Sequence, residues 1–95
     1  MSEFQKLMAN KIGDKDKRMG QYFLLNILTE EVGELSRAVR KKTKNEIAEE
    51  IADVIFSTFS IANLFDIQVE PILKQKYVDR SVSEISNKWT DVTWK

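Results

Sequence analysis

EEVGEL, residues 30–35, decides the fold, because its acids lie where a helix normally carries apolar side chains. At about 100° per residue, Glu31 falls inside the apolar stripe of the surrounding helix and Glu34 lies at its edge. The stripe consists of Leu24, Ile27, Leu28, Leu35, Ala38 and Val39. Carboxylates that face a protein core need a cation beside them, so the stretch predicts both a packed helix and a charged site.

Helical periodicity extends from this stretch through nearly the whole chain. Apolar residues recur at three- and four-residue spacing, and three glycines and one proline interrupt them. The sequence therefore predicts an all-α protein with a single domain over residues 1–95, built from helices at residues 2–12, 19–42, 44–65 and 70–85. Gly13 is expected to end the first helix, and the charged run 14–18 to link it to the second. The tail at residues 89–94 has no helical period and is expected to dock onto the bundle.

The third helix is marked by its start and by its composition. Thr43 and Glu46 have the T-x-x-E spacing of a capping box, which begins a helix. Ala52, Phe56 and Phe59 lie opposite the main apolar stripe, so the helix is apolar on nearly every face. A 95-residue monomer has little left to cover a second face, so we predict a homodimer or a higher oligomer.

The composition excludes several classes of function. Fifteen basic and fifteen acidic residues cancel, which argues against a nucleic-acid or membrane partner. Cysteine and histidine are absent, which removes disulfides, thiolate zinc sites and Ser-His triads. No window approaches the roughly 20 apolar residues that span a bilayer, and the first residues carry no long apolar segment. The expected location is the cytoplasm.

A second pair of acids follows on the third helix. Glu50 lies at the edge of the apolar stripe there, and Asp53 lies one step further round. Two such helices packed antiparallel would bring four carboxylates together, which requires a cation. A metal is the better candidate, because the nearby basic residues lie mostly at helix ends. Oxygen ligands alone favour Mg²⁺ or Mn²⁺, disfavour a di-iron site, and point to a nucleotide or another polyphosphate as substrate.

These acids carry a resemblance to a known family. Glu30-Glu31-x-x-Glu34, fifteen intervening residues and Glu50-x-x-Asp53 resemble the EExxE and ExxD signature of MazG-type nucleoside triphosphate pyrophosphohydrolases, relatives of the dimeric dUTPases. Lys76-Tyr77-x-x-Arg80 resembles the basic K-[FY]-x-x-R segment of that family. The resemblance covers about residues 21–80 and implies a four-helix MazG-like bundle that assembles as a dimer or a dimer of dimers.

The resemblance also implies a reaction and a set of site residues. The reaction is hydrolysis of a nucleoside triphosphate to a monophosphate and pyrophosphate, for housecleaning or regulation of nucleotide pools. We expect Lys76 and Arg80 to hold the leaving pyrophosphate. Asn63 is a candidate for a contact with base or sugar. The acidic candidates are the metal ligands Glu31, Glu34, Glu50 and Asp53, with Glu30 and Glu49 as catalytic or supporting neighbours that orient water.

Two other interpretations stay open at this point. One is a catalytically silent helical module for oligomerisation or adaptor binding, and the other is a dUTPase-like enzyme with one strict substrate. The four inward acids favour an enzyme, because a silent relative would gain stability by replacing them with apolar residues. The preferred base cannot be read from the sequence, since the base pocket depends on how subunits meet.

Overall fold

The computed structural model describes residues 2–86, and within that range the chain is helical and contains no strand. The helices are α1 (Ser2–Met19), α2 (Gln21–Lys41), α3 (Lys44–Leu64), α4 (Glu70–Leu73) and α5 (Val82–Ser86), with a π-helical turn at Lys74–Val78. The all-α prediction is confirmed. None of the helices in the described range is both long and apolar enough to cross a bilayer. The predicted docking of residues 89–94 concerns a segment outside the described residues.

The first helix is longer than the sequence predicts. Gly13 lies inside α1, where a glycine costs about 1 kcal/mol relative to alanine but does not stop a helix that packs against its neighbours. The charged run 14–18 continues α1, so the prediction that it forms a linker is wrong. The break comes at Gly20, whose φ of 85° lies in the left-handed region that favours glycine. One residue therefore connects α1 to α2.

Helices α2 and α3 form an antiparallel hairpin, which is the most extensive helix packing in the described chain. Lys42 adopts a left-handed conformation with φ 58°, and its N–H donates to the Val39 carbonyl at 3.1 Å. Thr43 is the N-cap of α3, so the predicted start of this helix is confirmed. Its side chain makes no capping hydrogen bond, and the predicted capping box does not form. The short turn holds the two acidic faces opposite each other.

The apolar core is small for a chain of this length. Within residues 2–86, the buried apolar residues are Leu24, Ala38, Phe59 and Ala62. Phe59 was predicted on an outer face of α3, but it is only 4% exposed. Helix α1 packs on α3, and its residues Phe4 and Met8 line a groove together with Phe59. Phe56 remains 38% exposed, so the second apolar face of α3 is only partly covered within one chain.

A buried glutamine joins α1 to the far end of α3. Gln5 is 1% exposed, and its Nε2 donates to Asn63 Oδ1 at 2.9 Å and to the Ile67 carbonyl. Its Oε1 accepts from the Val69 N–H at 3.3 Å, and Asn63 Nδ2 donates to the Gln5 carbonyl at 3.0 Å. A single side chain thus satisfies polar groups on both α3 and the turn at residues 65–69.

The chain after α3 is interrupted where the sequence predicts one helix over residues 70–85. Pro71 opens α4 in its first turn, as predicted. The Ser81 N–H donates to Glu84 Oε1 at 3.0 Å, and the Glu84 N–H donates to Ser81 Oγ at 3.2 Å. These reciprocal bonds form a capping box, which starts α5 anew. The S-x-x-E spacing of residues 81–84 was the signal for this break.

Replacing Gln5 by methionine should destabilise the fold by about 1–3 kcal/mol. Methionine keeps the length of the side chain but leaves part-buried polar groups of Asn63, Ile67 and Val69 without their partner. The free energy of unfolding, from equilibrium denaturation in urea, measures the effect. Gln21→Met, at an exposed position at the start of α2, is the matched control and should change stability little. Equal stability of the two variants would contradict the role of Gln5.

Candidate metal and phosphate site

Acidic side chains of α2 and α3 converge at the middle of the hairpin. Glu31 from α2 and Glu50 and Asp53 from α3 each offer a carboxylate oxygen, and these atoms lie within 4.8 Å of one another. Glu34 lies close enough for its negative charge to act on both Glu31 and Glu50. The antiparallel register places Glu31 beside Asp53 and Glu34 beside Glu50. All four acids singled out from the sequence are therefore neighbours.

The environment of Glu31 and Glu50 disfavours the charged form of these two carboxyl groups. Burial raises the pKa of Glu31 to about 6, with further contributions from the adjacent carboxyl of Asp53 and from the charge of Glu34. Burial, followed by the charge of Glu34, also raises the pKa of Glu50. Oε2 of Glu31 and Oε2 of Glu50 are both buried and have no hydrogen-bond partner in the described chain. Two buried carboxylate oxygens without a donor among residues 2–86 destabilise the fold.

A hard divalent cation fits this set of oxygen atoms. Carboxylate oxygens are the ligands that Mg²⁺ and Mn²⁺ prefer, and a cation would use the two orphaned oxygens and reduce the repulsion between the acids. Glu30 and Glu49 are exposed neighbours of the cluster, on the solvent side of their helices. Each is adjacent in sequence to one of the proposed ligands, Glu30 to Glu31 and Glu49 to Glu50, but its side chain is exposed to solvent.

The structure does not bring the other sequence candidates to the acids. Asn63 bonds to Gln5 through both amide atoms and lies ten residues beyond Asp53, about 15 Å along α3. These contacts favour a structural role over the base or sugar contact that the sequence predicts. Lys76 and Arg80 are exposed, and in the described chain the segment at residues 70–80 packs mainly on itself rather than on α2 or α3.

A cavity that the sequence did not predict lies beside the acids. It has a volume of about 280 Å³, and Ile27 and Ser57 line it. Each of these residues is four positions from Glu31 or Asp53, which is about 6 Å along the helix axis. Asp16 of α1 also lines it. The sequence predicts a linker at Asp16, whereas in the structure Asp16 is a buried residue of the longer α1.

We expect Glu31→Gln to stabilise the metal-free protein, and more strongly at pH 7.5 than at pH 5. The pKa of Glu31 is about 6 in the fold against about 4.5 for the free group, so the native state binds more protons between those values. The contribution of Glu31 to the free energy of unfolding therefore falls as pH rises. Glutamine does not titrate, so the variant does not lose this stability. Thermal unfolding in EDTA at the two pH values measures the difference from the native protein. Exposed Glu30→Gln is the control, and an equal response of both variants would contradict the prediction.

Comparison with known proteins identifies the family of the chain. The MazG nucleotide pyrophosphohydrolase domain matches residues 20–87, which include α2, α3 and the whole acidic cluster. The match begins at Gly20 and leaves α1 outside. No curated protein and no solved structure matches the chain significantly. The acidic signature, the all-α hairpin that carries it and the extent of the match together show that the chain belongs to the MazG nucleotide pyrophosphohydrolase domain family.

Proposed function

We propose that the protein hydrolyses nucleoside triphosphates to nucleoside monophosphate and pyrophosphate in a metal-dependent reaction. The observation that carries the proposal is the cluster of Glu31, Glu50 and Asp53, with two buried oxygens that lack partners. Membership of the MazG family supports a nucleotide as substrate. Housecleaning or regulation of nucleotide pools in the cytoplasm is the role that suits this chemistry.

Glu31, Glu34, Glu50 and Asp53 would hold the cation, with Mg²⁺ first and Mn²⁺ second. When bound, the cation supplies positive charge that neutralises phosphate oxygens and activates water for attack on phosphorus. The carboxylates fix the position of the phosphate chain by fixing the cation. Glu30 and Glu49, on the solvent side, would orient water or support the ligands through hydrogen bonds.

Lys76 and Arg80 would stabilise the leaving pyrophosphate through charge-assisted hydrogen bonds, with arginine able to contact two oxygens at once. Within residues 2–86 they lie on a segment that packs mainly on itself rather than on the acidic hairpin. Their role is therefore proposed together with self-association, because a second subunit could bring the basic segment to the acids.

Exposed apolar side chains support self-association as a dimer or a dimer of dimers. On α3, Ile51 is 44% exposed and Ile55 is 37% exposed, while on α1 Phe4 is 62% exposed. An apolar groove of about 410 Å³ runs between the two helices, lined by Phe4, Met8, Ala52, Ile55 and Phe59. Apolar surface of this kind on a small chain is typical of a subunit interface.

A catalytically silent module for oligomerisation or adaptor binding is the alternative. It shares the exposed apolar surface but does not need the acidic cluster. Inward acids with raised pKa values destabilise a metal-free scaffold, and a silent module gains nothing from them. The cluster therefore favours the enzyme.

If the proposed reaction occurs, turnover should require a divalent metal. Either Glu50→Gln or Asp53→Asn should abolish it. A panel of nucleoside triphosphates with Mg²⁺, scored for monophosphate and pyrophosphate, measures it. Mg²⁺ or Mn²⁺ should also raise the melting temperature of the native protein but not of these variants, since a ligand stabilises only the state that binds it.

Asp66→Asn is the control for these variants, because Asp66 is exposed, lies outside the cluster, and has a positive φ that asparagine tolerates. It should retain both turnover and stabilisation by metal. Full turnover of Glu50→Gln and Asp53→Asn would remove the metal site. Absence of turnover with every nucleotide would favour the silent module.

Ile55→Glu should convert the oligomer into monomers, because it places a charge in the apolar groove between α1 and α3. Analytical ultracentrifugation at micromolar concentration measures the change in mass. Val82→Glu, at a position on α5 that is 81% exposed, is the control and should leave the assembly intact. A native protein that sediments as a monomer would contradict the prediction.

A further inference from the structure

The cavity beside the acids is lined by residues of α1, α2 and α3. Its apolar walls are formed by Ile12, Met19, Phe23, Ile27 and Phe56. Its volume of about 280 Å³ approaches the lower end of the range for small-molecule pockets. Apolar walls with aromatic rings suit a flat heterocycle, and the acids one helical turn away suit the phosphates attached to it.

One polar group in the cavity wall has no partner. Asp16 is 6% exposed, and its Oδ2 is buried without any hydrogen-bond donor in the described chain. An ionised carboxylate only accepts hydrogen bonds, so the missing partner must be an N–H or O–H donor. A buried carboxylate oxygen left unpaired destabilises the fold. A ligand that donates to Asp16 would therefore gain binding energy there.

We propose that this cavity receives the base of the nucleotide and that Asp16 selects bases that carry an amino group over uracil and thymine. The inference rests on the proposed function and names the substrate class of the same site. Cytosine, adenine and guanine each present an exocyclic amino donor that Asp16 can accept. Asp16 lies before the residues that match the family, so the match assigns it no role.

Uracil and cytosine differ in the group that would face Asp16. Where cytosine carries the amino donor, uracil carries a carbonyl acceptor, which a carboxylate repels. The hydroxyl groups of Ser57 and Ser60, which also line the cavity, can donate or accept and do not separate the two bases. Lys15, which also lines the cavity, can only donate and would favour the uracil carbonyl, so a preference for cytosine would depend on Asp16.

Asp16 also borders a smaller cavity of about 130 Å³ next to Asn63 and Asp66. This second space does not include residues of α2, the helix that carries Glu31 and Glu34. A base bound there would not lie in line with the acidic cluster, which is why we assign the base to the larger cavity.

The experiment compares dCTP and dUTP, which differ in the base edge that meets Asp16. The native protein should show the higher kcat/KM for dCTP. In Asp16→Asn the ratio of kcat/KM for dCTP to that for dUTP should fall about tenfold or more, because the amide can donate to the uracil carbonyl. Asp14→Asn removes an exposed carboxylate from the same helix and should leave the ratio unchanged.

Calorimetric binding of dCMP and dUMP separates this inference from the proposed reaction, since it needs no turnover. The native protein should bind dCMP more tightly, and Asp16→Asn should lose that preference. The same ratio and the same preference in native and Asp16→Asn protein would overturn the inference while leaving the hydrolysis intact. Failure to bind either monophosphate would also overturn it. A melting curve of Asp16→Asn shows whether the variant is folded.

Discussion

Negative charge between α2 and α3 is the constraint on which the rest of the structure depends. Glu31, Glu50 and Asp53 bring carboxylate oxygens within 4.8 Å of one another at a helix–helix contact that apolar side chains would ordinarily fill. Burial and mutual repulsion raise the pKa values of Glu31 and Glu50. Such a cluster costs the fold stability, and in our proposal a bound cation offsets that cost.

The small core follows from this constraint. With acids in the middle of the hairpin, apolar burial is concentrated toward its ends, where Ala38 lies near the turn and Leu24 and Phe59 lie at the open end. Helix α1 compensates by covering one face of α3, and Gln5 joins it there through hydrogen bonds rather than apolar contact. Much of the remaining apolar surface in the described residues stays exposed, which agrees with our proposal that a second copy completes the core and the phosphate contacts.

The hairpin register also links the two halves of the proposed substrate site. Because α2 and α3 run antiparallel, the residues one turn beyond Glu31 and Asp53 face each other and line the neighbouring cavity. Phosphates at the acids and a base in the cavity would then lie along one groove. Asp16 of α1 lines the same cavity, so a helix outside the matched family region would contribute to the proposed selection of the base.

The sequence by itself determined the all-α class, the family and the positions of the four acids. These features depend on local spacing: helical periodicity aligns residues three and four apart, and a two-residue turn fixes the register of neighbouring helices. The start of α3 was equally predictable from Thr43, although its capping bond did not form. The break before α5 had a local signal in Ser81 and Glu84, which the longer periodic pattern obscured.

Only the tertiary structure decided where α1 ends and that Phe59 is buried. It also decided that Gln5 and Asn63 bond to each other and that Asp16 is buried beside a cavity. Gly13 predicted a helix end on local propensity, but packing of α1 across α3 outweighed a cost of about 1 kcal/mol. Gln5 bonds to Asn63, 58 residues away in the chain, and the cavity that Asp16 lines also includes Ser57 and Ser60 of α3. Contacts between distant segments leave no periodic trace in the sequence, because they arise from how whole helices cross.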